Sequence, residues 1–376
     1  MAISRDLGSK FAPKKWMLNL HFSKRVFAIF VFVSTIFAVH GGVVGREQEK
    51  LPPVKNVLWT DPGDVSSLDF EYGVGGPERQ PQPPFRFVKE DLSGTSPKVN
   101  VTDGRGVSWN IKWGREARPS TFCTRLLWAC GYVAVPEYFL SHGSIEGVRG
   151  LRRAKDRVSD DGSFVNARFQ LRSDSPRYLE ESWTWSDNPF MGTRELQGLK
   201  ILMLLVSNWD TKDARDTRSA PNGSSVIDSN LSIFEDNSSG EQHYLYADVD
   251  WGASLGKWGN LITWRKWDCK GFEEQTPNFL KGVNNGWLEW GFRGKHRKDV
   301  TEDISVYDVQ WLLKYLGEIT DAQIRTGLAA SGAVPDEIDC YARALRQRVE
   351  QLQRAATEVP AQETGAQSAP ITQEAR

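Results

Sequence analysis

The longest apolar stretch in the body of the chain is Glu195–Val206, and polar residues follow it at once. Its length and near-absence of charge predict a buried helix. The segment Ser207–Lys212, Ser-Asn-Trp-Asp-Thr-Lys, then follows as a polar loop. A second apolar run, Tyr244–Ala247, predicts a strand that ends on the carboxylates and glycine of Asp248–Gly252. We therefore expect a helix and a strand to deliver two polar loops to one place.

Short runs with period-two alternation fill residues 85–172. One face of the strand predicted at 107–113 carries Val107, Trp109, Ile111 and Trp113, and the other carries Ser108, Asn110 and Lys112. Further strands are predicted over Phe85–Val88, Val99–Val101, Val133–Leu140 and Phe164–Leu171, and a helix over Pro119–Cys130 that stops at Gly131. These residues predict a small sheet with one helix.

The pattern divides the chain into five parts and indicates an α+β fold class. These are a targeting or anchoring segment at 1–45, an extended lead-in rich in Pro and Gly at 46–84, a β-rich region at 85–189, a mainly helical region at 190–355 with a polar insertion at 213–241, and a tail at 356–376. The composition of the tail predicts disorder.

The N-terminal part has the pattern of a targeting segment. Lys24 and Arg25 close a basic region, and the apolar run Val26–Val39 follows it. This order is typical of a secretory signal, while extension to Gly45 gives a length that suits a membrane anchor. Both alternatives place the body outside the cytoplasm, and both limit the expected membrane contact to this segment.

Composition excludes several classes of function. The chain has 376 residues, 39% hydrophobic and 25% charged, with a net charge of −1, so no general basic field predicts a nucleic-acid partner. Cys123 and Cys130 are about 10 Å apart along one predicted helix and cannot pair, which leaves Cys269 and Cys340 to pair or to stay buried. The five histidines are scattered and no Cys-x-x-Cys occurs, which disfavours a zinc site. A serine hydrolase is disfavoured because no Gly-x-Ser-x-Gly elbow occurs.

The two polar loops are the main candidates for chemistry. In Asn208–Lys212, Asp210 would orient or deprotonate a nucleophile, Lys212 would contact a phosphate, and Trp209 would be a packing anchor. The alternative is a solvated helix end, but the nearly uncharged helix before it and the Asp-x-Gly after it favour a function. In the second loop, strand alternation puts Asp248 and Asp250 on one side, and we favour Asp250 as a metal ligand. A turn with solvated acids or a calcium loop is the alternative.

Two further features lie in the β-rich region. Lys112 on its strand is either solvent-facing or a ligand for phosphates, and Glu116 is the acidic residue nearest to it in the chain. The turn Ser93–Lys98, Ser-Gly-Thr-Ser-Pro-Lys, offers the free backbone N–H groups of an anion nest at Gly94 and ends on Lys98. It is not a Walker loop.

The basic run 291–298 is either a solvated loop or a contact for phosphate or an acidic partner.

In this order the motifs resemble the atypical kinase-like proteins, meaning HipA-type, lipid-kinase-like and secretory-pathway kinases, and in particular exported bacterial proteins with Asn-Trp-Asp-x-Lys and Asp-x-Gly. The resemblance covers residues 51–355. It implies a two-lobed fold with a small β-rich N-lobe and a larger helical C-lobe. It also implies ATP and Mg²⁺ as cofactors and a protein or small molecule as acceptor. The matched positions are Lys98 at the end of the phosphate loop that contains Gly94, Lys112 on its strand, Asn208, Asp210 and Lys212 in the catalytic loop, and Asp250 as metal ligand. The pattern also calls for an acidic partner for Lys112, and Glu116 is the nearby candidate.

Two positions depart from the kinase-like pattern. Arg215 stands where a second metal ligand, Asn, is usual, and Asp216 beside it is the substitute we predict. Ser120 stands where the acid of the N-lobe helix is usual. The alternative to an enzyme is therefore a catalytically inactive scaffold that binds a partner or a nucleotide without turnover.

Overall fold

The computed structural model describes residues 54–94, 96–172, 176–179, 181–220, 222–259 and 264–358. The predicted targeting segment at 1–45 and the tail from 359 onward lie outside these residues. Within the described part, no helix combines the length and the apolar character needed to cross a membrane.

The described residues form a mixed α+β fold. The strands are β1 (Lys55–Val57), β2 (Phe85–Glu90), β3 (Lys98–Thr102), β4 (Ser108–Trp113), β5 (Glu137–Glu146), β6 (Ser163–Arg172), β7 (Arg177–Tyr178), β8 (Thr217–Ser219), β9 (Ser225–Ile227), β10 (Leu231–Asp236), β11 (His243–Asp248), β12 (Leu280–Asn284) and β13 (Trp287–Trp290). The helices are α1 (Ala117–Ala129), α2 (Arg194–Leu205), α3 (Cys269–Gln275), α4 (Arg297–Thr301), α5 (Val306–Leu316), α6 (Asp321–Ala330) and α7 (Pro335–Ala356).

Strands β2 to β6 close into a five-stranded barrel in the order β2-β3-β4-β6-β5. The alternation predicted for β4 is confirmed, because Trp109, Ile111 and Trp113 are buried in the apolar cluster inside the barrel. The outward side chains include Asn110 and Lys112, which line a cavity. The strand predicted at 133–140 begins instead at Glu137, after Pro136, which has no N–H to give to a ladder.

A second sheet has the order β1-β11-β10-β7. Strand β1 comes from the lead-in and pairs in parallel with β11, with Lys55 opposite His243. Strand β10 pairs with the other edge of β11, so the strand that leads to Asp248 is held on both sides. The region predicted to be mainly helical therefore also contains strands, and β8 to β10 lie in the polar insertion. Their polar composition concealed them, although β8 pairs with β9 and β10 with β11, the next strand along the chain in each case.

Helix α2 lies in a large apolar cluster with α5 and α7, and every side chain from Leu196 to Leu205 is buried. This confirms the predicted central helix. A disulfide joins Cys269 at the start of α3 to Cys340 in α7, while Cys123 and Cys130 are buried free thiols. The barrel interior has its own apolar cluster. The two-lobed arrangement itself remains a prediction.

Candidate functional site

The first polar loop starts where α2 is firmly held. The Thr193 side chain caps the N-terminus of α2 by accepting from the Leu196 N–H. At its other end, Arg348 Nη1 donates to the Leu205 carbonyl at 2.9 Å and to Ser207 Oγ at 2.6 Å. Ser207 has a φ of 56°, which turns the backbone out of the helix. The fully buried arginine therefore fixes the point from which the loop leaves.

Asn208 joins the two polar loops. Its Nδ2 donates to the carbonyl of Asp250 at 3.3 Å, and its Oδ1 accepts from the backbone N–H of Asp210 at 3.3 Å. The Asn208 side chain is buried and does not line the cavity described below. Its observed contacts therefore set the relative position of Asp210 and Asp250.

The second polar loop begins where β11 ends, at Asp248. The Asp250 N–H donates to Asp248 Oδ1 at 3.0 Å, and the Gly252 N–H donates to Asp250 Oδ1 at 3.0 Å. Asp250 keeps 37% of its side chain exposed, whereas Asp248 is buried. Burial raises the pKa of Asp248 well above its ordinary value, and the nearby charges of Asp250 and Asp210 add to the effect. Strand β11 ends at Asp248, so the alternation on which we placed both carboxylates on one side does not extend to Asp250.

Glycine is required at position 252 because the second polar loop approaches the start of α1 there. A Cβ at Gly252 would lie 2.7 Å from Cβ of Glu116, closer than real contacts allow. The backbone after Asp250 thus packs directly on Glu116, which precedes α1.

Glu116 lies between two lysines. Lys112 Nζ is 2.5 Å from Glu116 Oε2, and Lys266 Nζ pairs with Glu116 Oε1. Ser96 Oγ also donates to Oε2 at 2.7 Å. Burial would raise the pKa of Glu116, but the two ammonium groups outweigh it and hold the pKa far below its usual range. Lys112 Nζ is also 3.8 Å from Asp250 Oδ2, so this lysine connects both carboxylates.

The Ser93–Lys98 turn forms one edge of the same site. Gly94 has a φ of 63°, and Lys98 Nζ reaches back to donate to Ser93 Oγ at 2.9 Å. Lys98 Nζ is 3.5 Å from Asp91 Oδ2. Burial lowers the pKa of Lys98, against the opposing effect of Asp91. The turn places a desolvated ammonium at the wall of the cavity.

These side chains surround a cavity of about 340 Å³. It brings together seven of the predicted site residues, namely Gly94, Lys98, Lys112, Glu116, Asp210, Lys212 and Asp250. Its ionic lining consists of seven cations, Lys98, Lys112, Arg168, Arg172, Lys212, Arg218 and Lys266, and four carboxylates, Glu116, Asp210, Asp228 and Asp250. The excess of positive charge suits an anionic ligand. Strands β3, β4 and β6 contribute four of the cations, whereas Asp210, Asp228 and Asp250 all come from later parts of the chain.

Asp210 is paired on both carboxylate oxygens. Lys212 Nζ is 3.3 Å from Oδ2, and Lys295 Nζ is 3.1 Å from Oδ1. Lys212 also lies 3.2 Å from Asp228 Oδ2. Burial alone would lower the pKa of Lys212, but Asp210, Asp228 and Asp250 together raise it. Lys212 is therefore a charged ammonium at neutral pH. Lys295 belongs to the basic run at 291–298, one side of which thus contacts the catalytic-loop candidate.

Asp216 and Arg215 do not line the cavity. Asp216 Oδ2 lies 2.5 Å from His296 Nε2. Arg215 Nη2 lies 2.5 Å from Asp213 Oδ2, 2.5 Å from Asp299 Oδ2 and 3.0 Å from His296 Nδ1. The ligand atoms of Asp213, His296 and Asp299 are close enough together to hold a metal ion, but the guanidinium of Arg215 already lies among them. This cluster is a charge network beside the cavity.

Sequence reasoning missed Arg168, Asp228, Asn230 and Lys266. Asn230 Nδ2 donates to the carbonyl of Asp210, and its own N–H donates to the carbonyl of Lys212 at 3.1 Å, so it clamps the first loop. Alternation in the strand predicted at 164–171 could have put Arg168 on the face opposite Phe169. Asp228 and Asn230 come from the insertion and Lys266 from a loop after the second polar loop, and no local pattern marks them.

The chain matches no protein-family model and no curated protein. Among solved structures it is similar to the crystal structure of the Golgi casein kinase. That similarity has 10% sequence identity and a TM-score of 0.30, over 80% of this chain and 79% of the other. A TM-score this low carries no argument about fold or function. Any functional inference therefore rests on the residues around the cavity.

Proposed function

We propose that this protein is an atypical kinase-like phosphotransferase with a two-lobed fold, which uses ATP and Mg²⁺ to phosphorylate a protein or a small molecule. The observation that carries the proposal is the single cavity in which barrel cations meet the carboxylates of two loops. Catalysis of phosphoryl transfer depends mainly on positioning the reactants and on electrostatic stabilisation of the phosphoryl group. The charged side chains that line this cavity can provide both.

The lining fits the two cofactors. Asp250 and Asp228 present partly exposed carboxylates, 37% and 32%, and Mg²⁺ prefers oxygen ligands of this kind. When bound, Mg²⁺ neutralises charge on phosphate oxygens. Lys98 and Lys112 would hold the donor phosphates, with Gly94 leaving its backbone accessible. Glu116 stays ionised because of its low pKa and so keeps Lys112 in place.

Asp210 and Lys212 would serve the transfer itself. Asp210 would orient the acceptor hydroxyl and accept its proton, and Lys212 would balance charge on the phosphoryl group. In the free protein each oxygen of Asp210 faces a lysine. A phosphate that attracts Lys212 would release one oxygen of Asp210 for the acceptor. Asn208 keeps this loop aligned with Asp250.

The second candidate function is a scaffold that binds a nucleotide or partner without turnover. The observation in its favour is that Arg215 points into the charge network and Asp216 pairs with His296, so this segment supplies no second metal ligand to the cavity. Asp228 is the carboxylate that could take that role in an active enzyme.

We also propose that the body of the protein works outside the cytoplasm, with residues 1–45 as its signal or anchor. The Cys269–Cys340 disulfide supports this, since structural disulfides form in oxidising compartments.

Measurements of ATP binding and phosphate transfer on four isosteric variants test the function. Asp250→Asn should abolish Mg²⁺-dependent ATP binding, because the anionic metal ligand is lost. Asp210→Asn should leave binding intact and lower transfer or ATP hydrolysis by about 10²–10⁴-fold. Lys112→Met should weaken binding with or without metal. The exposed Asp187→Asn is the matched control and should match the wild type.

The results separate the two candidates. ATP binding that depends on Asp250 without transfer or hydrolysis would select the scaffold. Absence of ATP binding in the wild type would refute the proposed nucleotide site.

A further inference from the structure

Three cations lie side by side on neighbouring barrel strands. Lys98 is opposite Lys112 in the β3–β4 pair, and Lys112 is opposite Arg168 in the β4–β6 pair. All three line the cavity. Like charges directly opposite each other across strands are destabilising. Each of the three has a carboxylate partner, Asp91, Glu116 and Glu137 in turn, which offsets this repulsion. The row still lies along a cavity whose lining has more cations than carboxylates, and this excess suits an anionic ligand.

Arg168 is built firmly into this row. Its side chain is only 4% exposed, and Nη1 donates to Glu137 Oε1 at 3.0 Å and to Ser120 Oγ at 3.1 Å. Gln170 Nε2 also donates to Glu137 Oε1, at 2.9 Å. Ser120, where the kinase-like pattern has an acid, thus helps to hold an arginine. These contacts fix the guanidinium plane at the wall of the cavity.

The hydrogen-bonding capacity of Arg168 is incompletely used. Its Nε is buried and has no partner among the described residues. A buried donor without a partner costs about 1–3 kcal/mol, and a bound ligand or ion that accepts from it would remove this cost. The Nε–H of this fixed guanidinium is therefore left for an oxygen of a bound anion, and arginine is well suited to bind phosphate oxygens.

We propose that Arg168 is a further anion-binding residue and that the row Lys98–Lys112–Arg168 binds a chain of linked phosphates rather than a single phosphate. Neighbouring strands are about 4.8 Å apart, so three cations on three strands cover about 10 Å. A single phosphate is too small to contact both ends of that row, whereas a diphosphate or triphosphate can follow it. The inference rests on the proposed function, because the donor nucleotide would supply this polyphosphate.

Calorimetric titration of the full-length protein with inorganic phosphate, pyrophosphate, tripolyphosphate and Mg²⁺–ATP tests the inference. In the wild type, affinity should rise from phosphate to tripolyphosphate. The double variant Arg168→Gln/Glu137→Gln replaces a buried ion pair by a neutral hydrogen-bonded pair and so leaves no buried charge unpaired. It should weaken tripolyphosphate binding at least about tenfold and change phosphate binding little.

Arg168→Lys keeps the positive charge but loses the planar guanidinium group. Its affinity for tripolyphosphate should lie between those of the wild type and the double variant. Arg157→Gln, an exposed barrel-loop arginine outside this cavity, should behave as the wild type. Melting curves establish that each variant is folded.

The outcomes separate a failure of this inference from a failure of the proposed function. If the folded variants at Arg168 bind tripolyphosphate as tightly as the wild type while Mg²⁺–ATP still binds, the inference about Arg168 is wrong and the proposed function stands. If the wild type binds neither polyphosphates nor Mg²⁺–ATP, both are wrong.

Discussion

Replacement of the buried Arg348 by methionine should destabilise the protein strongly and disturb the first polar loop. The arginine is fully buried in α7 and donates four hydrogen bonds, to the Leu205 carbonyl at 2.9 Å, Ser207 Oγ at 2.6 Å, Thr276 Oγ1 at 3.0 Å and the Phe272 carbonyl at 3.1 Å. Its guanidinium carbon is 3.7 Å from the ring centre of Phe272. It thereby joins the end of α2 to α3 and α7.

The expected magnitude is a difference between large opposing effects. Burial lowers the pKa of Arg348 well below its ordinary value, which shows how strongly desolvation opposes the charged form. Methionine removes that cost but leaves two carbonyls and two hydroxyls without their donor, at about 1–3 kcal/mol for each that stays unsatisfied. We expect a net loss of about 3–5 kcal/mol in the free energy of unfolding, since relaxation will satisfy some of these groups.

Urea and thermal unfolding measure this loss. For a domain of this size, about 2–4 °C per kcal/mol predicts a melting temperature lower by roughly 10 °C. Arg343→Met is the matched control on the same helix, because Arg343 forms an exposed ion pair with Glu273 worth less than about 1 kcal/mol. If Arg348→Met were no less stable than Arg343→Met, the buried arginine would not be the group that secures the end of α2.

Two shorter predictions follow from the disulfide and from a buried turn. If the full-length chain is exported, it should contain the Cys269–Cys340 disulfide. The chain from residue 46 onward, made in a reducing cytoplasm, should instead show four reactive thiols after denaturation when it is labelled with a thiol reagent. A fully reduced full-length product would contradict export. Closing a loop with a sequence separation of 71 corresponds to about 4 kcal/mol, so the reduced protein should also unfold more easily. Burial would raise the pKa of Asp103, but hydrogen bonds from the backbone of Val107 and Gln82 and from Trp109 outweigh it and lower the pKa below 3.8. A depressed pKa in the folded state gives stability that is present above pH 3.8 and is lost as the pH falls through the folded pKa. Asp103→Asn should therefore lower the free energy of unfolding by about 1–3 kcal/mol at pH 7, and the difference in stability from the wild type should become smaller in acid. An equal difference in stability at pH 7 and pH 2 would contradict this.

The parts of the fold that sequence could predict are those fixed by local periodicity. Alternation placed Trp109 and Trp113 inside the barrel, and the mainly apolar run at 195–206 predicted a buried helix. Strand β1 could not be predicted, because three residues of the lead-in become a strand only by pairing with β11, almost two hundred residues away. The different exposure of Asp248 and Asp250 could not be predicted either, because the strand ends at Asp248 and alternation does not extend to Asp250.

The candidate site shows the same division between local and tertiary information. Asp210 and Lys212 share a loop, so a motif could identify them, whereas Lys266 reaches Glu116 across 150 positions of the chain. Distance along the chain alone does not prevent prediction, because Arg168 lies on a strand that its alternating sequence predicts. What could not be read was which strand lies next to β4. Once β6 is placed there, Lys98, Lys112 and Arg168 become one row, and a polar barrel face becomes a candidate binding surface. Strand order, rather than any single residue, therefore gives this face its chemical meaning.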